Sequence, residues 1–220
     1  MYSVIPDVLD AAEVAEAVKL LGAVKFVDGR ATAGSHARLV KQNLQAGPAD
    51  ESVTGLKAYI ASKINANSMF RIVTWPKSLT PLILSRYEPG MVYGTHVDDA
   101  LMNGVRSDVS FTLFLSDPIS YDGGALVIET AYGEQEVRPP AGSLVAYPST
   151  TLHRVAEVTR GARLAAVGWV RSFIRDPARR EVLFDLETAC DRIFRKDGKT
   201  AEVDLLSKSS ENLLRMWADD

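Results

Sequence analysis

Apolar positions recur at helical spacing near both ends of the chain and at alternate positions through its middle. Asp10 reads as an N-cap, and Val14, Val18 and Leu21 mark one face of a helix over residues 11–21. Val53, Leu56, Tyr59, Ile60 and Ile64 predict a second helix over about residues 50–64. From residue 82 to 172 the period changes to two. Strands are predicted over 82–87, 109–115, 125–129, 134–137, 144–147, 154–157 and 163–171. Glu88-Pro89-Gly90, Asp122-Gly123-Gly124, Pro139-Pro140-Ala141-Gly142 and Arg160-Gly161 punctuate them. Many short strands at this spacing suggest a sandwich or barrel. Asp176-Pro177 then opens a third helix, striped by Leu183, Leu186, Cys190 and Ile193 and ended by Lys196-Asp197-Gly198. A last helix is predicted over about 202–217, with Leu206, Leu213 and Trp217 on one side. Residues 1–175 thus form one domain and residues 176–220 a helical appendage. The appendage's apolar faces must be buried on the barrel or on a partner.

Length and charge narrow the function classes. The 220 residues suffice for one sizeable core plus a small appendage. A net charge of -3 gives no general attraction to nucleic acid or to anionic membranes, and neither is an expected partner. Cys190 is the sole cysteine, so no internal disulfide forms and a reducing compartment fits. The N-terminus shows no basic region ahead of a long apolar run. No signal peptide or membrane span is expected, and a cytoplasmic location is.

The chemistry concentrates in His96-Val97-Asp98, with His153 downstream. If residues 96–98 are extended, His96 and Asp98 project to one face and Val97 and Asp99 to the other. Asp98 is therefore preferred to Asp99 as a partner of the two imidazoles. Two histidines and a carboxylate on one face of a metal leave the opposite face open, as in non-haem Fe(II) oxygenases. The plainer alternative is two unrelated histidines, one capping a turn and one in the core. Arg163 weighs against that alternative. In the predicted strand over 163–171 it shares a face with Val167 and Trp169, and an arginine among inward apolar residues demands an anion. A planar guanidinium pairs well with a carboxylate, either that of a ligand or that of a buried Asp or Glu. Three other features have bland readings. His36 reads as a surface histidine, Cys190 as a packing residue, and Arg171, Arg175, Arg179 and Arg180 as a solvated basic edge.

Taken together, several segments resemble the Fe(II)- and 2-oxoglutarate-dependent dioxygenases, in their prolyl-hydroxylase-like branch. They are Arg86-Tyr87-Glu88-Pro89-Gly90, His96-Val97-Asp98, Phe111-Thr112-Leu113-Phe114-Leu115-Ser116, Gly123-Gly124-Ala125-Leu126, His153-Arg154-Val155 and residues 163–169. Length, opening and helical tail are similar to the bacterial PKHD-type hydroxylases. The resemblance implies a double-stranded β-helix, or jelly-roll, core at about 82–172 with flanking helices, inside a dioxygenase domain over residues 1–175. It implies His96, Asp98 and His153 as iron ligands, Arg163 as the partner of the distal carboxylate of 2-oxoglutarate, and Tyr87 as a further co-substrate contact. It also implies oxidative decarboxylation of 2-oxoglutarate to succinate and CO2, O2 as oxidant and ascorbate as an accessory reductant. The retained Asp98 points to hydroxylation, since related halogenases lack that carboxylate. Related prolyl hydroxylases carry a tyrosine near Phe114, so a second co-substrate contact must come from elsewhere.

The substrate is open between small molecules and peptidyl groups. A role in iron acquisition and a homodimer through the tail are further expectations. The alternative of another class is a non-catalytic metal-binding or iron-sensing jelly roll, which needs the two histidines and Asp98 but not Arg163. Oxidative demethylation of nucleic acid fits poorly. That pattern has two arginines six residues apart, and the residue six beyond Arg163 is Trp169.

Overall fold

In a computed structural model describing residues 2–47 and 51–219, the chain opens with strand β1 (Ser3–Ile5), helix α1 (Ala11–Ala23) and strand β2 (Phe26–Asp28). Two 3-10 turns, Gly29–Thr32 and Ala37–Val40, lead into β3 (Lys41–Gln42) and β4 (Leu44–Ala46). Next come α2 (Glu51–Ala66), α3 (Ser68–Thr74), β5 (Pro76–Leu79), β6 (Ile83–Tyr87) and β7 (Val92–His96). A small hairpin, β8 (Leu101–Met102) and β9 (Val105–Arg106), precedes the central strand β10 (Val109–Phe114). The remaining strands are β11 (Asp122–Gly123), β12 (Leu126–Thr130), β13 (Gly133–Val137), β14 (Leu144–Pro148), β15 (His153–Val155), β16 (Val158–Arg160) and β17 (Arg163–Ser172). Helices α4 (Pro177–Asp197) and α5 (Ala201–Trp217) close the chain.

Two antiparallel sheets carry the site. The larger runs β1-β14-β10-β17-β6-β4-β2, with β5 also on β17, and the smaller runs β13-β12-β15-β7-β3. They face each other as the expected jelly roll, and alternation decides what each face touches. Along β10, Val109, Phe111 and Leu113 point to the helices α1, α2 and α3 and join Leu21, Val53, Ile60, Ile64 and Phe70 in one core. Phe70 meets Phe111 edge to face at 5.6 Å. The intervening Ser110, Thr112 and Phe114 face the space between the sheets. There Phe114 packs with Leu126, Ile128, Val137, Val145 and Tyr147. A strand buried on both sides normally reads as a continuous apolar run. Ser110 and Thr112 break that run because their side of β10 faces the polar site.

Local capping fixes the helices. Asp10 accepts from the Glu13 amide and Glu13 reaches back to the Asp10 amide, a reciprocal box at the start of α1. Asp176 and Thr200 cap α4 and α5 with a single side-chain bond each, accepting from the Ala178 and Val203 amides. The predicted start of the second helix at residue 50 lies outside the described residues.

Several expectations change. The strand predicted over 154–157 ends at Val155 as β15, and a separate strand not predicted, β16, follows at Val158 and joins a different sheet. Strand β7, helix α3 and the N-terminal strands β1 to β5 carry little periodicity of their own and form by pairing or packing at long range. Arg180 is not part of a solvated edge. It is 5% exposed, and its guanidinium donates to the carbonyls of Ile174 (2.7 Å) and Arg175 (2.9 Å). It therefore ties the start of α4 to the end of β17. Helix α4 packs on α3 and α5. Leu183 is fully buried, and Cys190 is half-buried with its Sγ 3.9 Å from the Val203 carbonyl. His36 is exposed.

Candidate metal and co-substrate site

His96 ends β7 and His153 begins β15, directly opposite each other in the ladder. Asp98 lies just beyond β7 in a segment that is no longer strand. One candidate ligand atom from each of His96, Asp98 and His153 falls within 4.8 Å of the others. His96 Nε2 is 3.8 Å from Asp98 Oδ1, and His153 Nε2 is 3.7 Å from Asp98 Oδ2. Val97 and Asp99 are exposed. The three side chains form the one such cluster of histidine, cysteine and carboxylate groups among the described residues.

Each imidazole is held by a local bond. His96 Nδ1 lies 2.9 Å from the Gly94 carbonyl and His153 Nδ1 lies 3.0 Å from the Thr151 carbonyl. A carbonyl only accepts, so both Nδ1 atoms donate and both Nε2 lone pairs point at the shared space. Burial first, then the neighbouring His153, pushes the His96 pKa down to about 4, which keeps the ring neutral and able to ligate. Ser110 Oγ donates to Asp98 Oδ2 at 2.5 Å and lies 2.9 Å from Ser149 Oγ. That bond draws Asp98 toward the larger sheet.

Strand alternation alone misplaces one neighbour. Tyr93 and His96 are three apart and belong on opposite faces. However, β7 has a register shift against β15, where Tyr93 pairs with Val155 and His96 with His153. The extra residue brings both rings to one side. They stack with centroids 3.7 Å apart and planes 18° from parallel. Tyr147 closes the other flank, edge-on to His153 at 4.9 Å.

Arg163 opens β17, paired with Tyr87 at the end of β6. Its side chain is only 1% exposed and lines the same cavity as the three-residue cluster. The guanidinium lies 4.9 Å from the Phe114 ring centre and 5.4 Å from that of Tyr87. Its Nε and Nη2 have no hydrogen-bond partner, and no carboxylate of the described residues pairs with it. The expected alternation holds, with Val167 and Trp169 lining the cavity beside it and Leu164, Ala166 and Val170 turned to the helices. Gly124 makes room for it. At φ +60°, a Cβ there would lie 3.1 Å from Arg163 Cδ and 2.9 Å from Val158 Cγ2. Burial pushes the Tyr87 phenol up to about 12, so it stays protonated. A cavity that presents two imidazoles, a carboxylate and a guanidinium with two unpaired donors suits a divalent metal and a dicarboxylate together.

Comparison with known proteins accounts for this pairing. A family model described as the 2OG-Fe(II) oxygenase superfamily matches residues 82–171, and one for the PKHD-type hydroxylase C-terminal domain matches residues 177–219. A PKHD-type hydroxylase of Picosynechococcus sp. is 50% identical over 219 residues, and one of Synechococcus elongatus is 52% identical over 223. Each alignment covers 100% of both chains. The chain belongs to the PKHD-type hydroxylases. Iron and 2-oxoglutarate are thus the metal and co-substrate of this hydroxylase, and O2 is its oxidant. The fold is shared with a Pseudomonas putida prolyl-4-hydroxylase (24% identity, 78% of this chain and 92% of that one, TM-score 0.55). It is also shared with HygX of Streptomyces hygroscopicus, solved with nickel and 2-oxoglutarate (17% identity, 79% and 84%, TM-score 0.57). Among the described residues no helix is long and apolar enough to cross a membrane.

Sequence reasoning singled out His96, Asp98, His153, Arg163 and Tyr87, and the structure brings all five to one cavity. It missed Tyr93, Ser110, Tyr147, Gly124 and Lys41. For Ser110 the available signal was a polar residue inside an otherwise apolar strand. For Tyr93 and Lys41 the local sequence holds no signal, because a bulge and a long-range pairing place them.

Proposed function

We propose that His96, Asp98 and His153 hold one Fe(II) and that Arg163 receives the distal carboxylate of 2-oxoglutarate, with Tyr87 beside it. The observation that carries this reading is the buried, partly unpaired Arg163 guanidinium in the cavity of the histidine–aspartate cluster. Bound together, metal and co-substrate supply the oxidising chemistry, coupling decarboxylation of 2-oxoglutarate to succinate and CO2 with insertion of oxygen into a substrate C–H bond. The protein's residues supply the geometry. The Gly94 and Thr151 carbonyls fix both imidazole tautomers, and Ser110 orients Asp98. Tyr93 and Tyr147 wall the rings from water on two sides. Asp98 fills the position that a halide would need, which favours hydroxylation.

The substrate is a small molecule or a peptidyl group, and a link to iron acquisition and a cytoplasmic location accompany this reading. Residues 1–175 serve as the catalytic unit and residues 176–220 as an appendage. Exposed Val182, Phe194, Leu205 and Met216 on that appendage would suit a homodimer contact. Ascorbate fits as an accessory reductant. A non-catalytic iron sensor would need the three candidate ligands but gives no reason for an unpaired buried Arg163. The test is succinate formation by iron-loaded protein with 2-oxoglutarate and O2, alongside direct 2-oxoglutarate binding. Loss of both would defeat the enzymatic reading.

A further inference from the structure

The cavity contains a second buried cation that the reaction as described leaves unused. Lys41 opens the short strand β3 at the edge of the smaller sheet, paired with Tyr93. It is 6% exposed and lines the cavity. Its Nζ donates to Thr32 Oγ1 at 3.1 Å and sits 5.0 Å from the centre of the Tyr93 ring. No carboxylate of the described residues lies within ion-pair distance of it. An ammonium group has three donors, and a buried one without an anion is costly to keep. A purely structural tie to Thr32 would be served by a neutral donor at lower cost.

Position separates Lys41 from the co-substrate's anchor. Arg163 sits deep between the sheets against Tyr87 and Phe114. Lys41 approaches the cluster along Tyr93 instead, its ammonium 5.0 Å from the centre of the ring that stacks on the His96 imidazole. Charge points the same way. The positive charges of a divalent metal and Arg163 are matched by the two carboxylates of 2-oxoglutarate and by Asp98. Lys41 is left over, with Asp98 and the exposed Asp28 favouring its charge only from beyond ion-pair distance. Burial pushes the Lys41 ammonium down to about 8, a cost that an arriving anion would relieve.

We infer that Lys41 is a specificity residue that binds a carboxylate on the substrate, placing the oxidised carbon within one small acid, or one acidic residue, of that charge. This rests on the metal and co-substrate roles given above. It narrows the substrate to anionic molecules, which neither the fold nor the family determines.

The test uses full-length protein loaded with Zn(II) and saturated with 2-oxoglutarate, with trifluoroacetate as a carboxylate probe and trifluoroethanol as its neutral counterpart, read by fluorine NMR. Trifluoroacetate should bind the wild type and trifluoroethanol should not. Lys41→Met should weaken trifluoroacetate binding by roughly tenfold or more, the order expected for one charge-assisted contact, and Lys41→Arg should restore most of it. The 2-oxoglutarate affinity of Lys41→Met, measured by calorimetry, should change less than twofold. Lys41→Gln, checked for folding by circular dichroism, repeats the comparison if the methionine variant does not fold. Failure of trifluoroacetate to bind the wild type, or equal binding by Lys41→Met, overturns the inference. An equal loss of 2-oxoglutarate affinity assigns Lys41 to the co-substrate and also overturns it. If the wild type does not bind 2-oxoglutarate at all, the co-substrate reading fails instead, and the calorimetry reports this independently.

Discussion

Replacing Arg163 with methionine separates a ligand-binding arginine from a structural one, because the two roles move stability and affinity in different ways. In the protein without co-substrate, the guanidinium is buried with Nε and Nη2 unpaired. Each such orphaned donor costs about 1–3 kcal/mol, so the pair costs about 2–6 kcal/mol. Against this, its stacking on Tyr87 and Phe114 contributes about 2 kcal/mol for each ring where the cation is desolvated, about 4 kcal/mol in all. The two nearly offset, and methionine keeps most of the buried apolar stem. The melting temperature of metal-free Arg163→Met should therefore stay within about 4 °C of wild type, since about 1 kcal/mol shifts a chain of this size by roughly 2–4 °C. Affinity has no such compensation. A carboxylate left in the cavity without its guanidinium loses about 3–5 kcal/mol, at least a hundredfold in Kd. The assays are scanning calorimetry in chelator and titration of Zn(II)-loaded protein with 2-oxoglutarate. A variant that melts more than 10 °C lower and binds 2-oxoglutarate normally would refute the argument and make Arg163 a structural residue.

Asp98→Ala should abolish turnover and weaken Fe(II) binding, and wild-type iron affinity in that variant would remove Asp98 from the ligand set. Gly124→Ala should lower the melting temperature and weaken 2-oxoglutarate binding together. Its Cβ would press on Val158, Tyr121 and Arg163 from a left-handed backbone, at a cost of about 1–3 kcal/mol. Unchanged values of both would show that the strand beside Arg163 yields freely. Acid should destabilise the metal-free protein through His96, whose folded pKa is held near 4 by burial and then by His153, against an ordinary value of 6.5. Between those values the unfolded chain binds more protons than the folded one, so stability is lost as pH falls through the window. A melting temperature that is flat from pH 6.5 to 4 would contradict that assignment.

Legibility followed the range of the interaction. The helices α1, α4 and α5 were visible because apolar periodicity, and for α1 and α4 the caps Asp10 and Asp176, act within a few residues. Most core strands were visible for the same reason. Strand β7 was not, because Val92–His96 gains its place only by pairing with β15 and β3. His96 and Asp98 were selected on the premise of an extended run. The structure ends the strand at His96 and still brings Asp98 to the cluster, now through the bond from Ser110. Arg180 was misread because a basic run looks solvated until the carbonyls that accept from it are placed in space.

By itself the sequence determined the candidate donor set, namely two imidazoles, one carboxylate and an arginine on the inward face of a strand. Those facts depend on residue identity and on a period of two, both of which are local. Only the tertiary structure decided that Arg163 meets no carboxylate among the described residues, that a bulge turns Tyr93 onto His96, and that Lys41 reaches the same cavity. Each of these depends on contacts between strands far apart in the chain, whose partners and register are set by packing the whole jelly roll rather than by any short stretch of it.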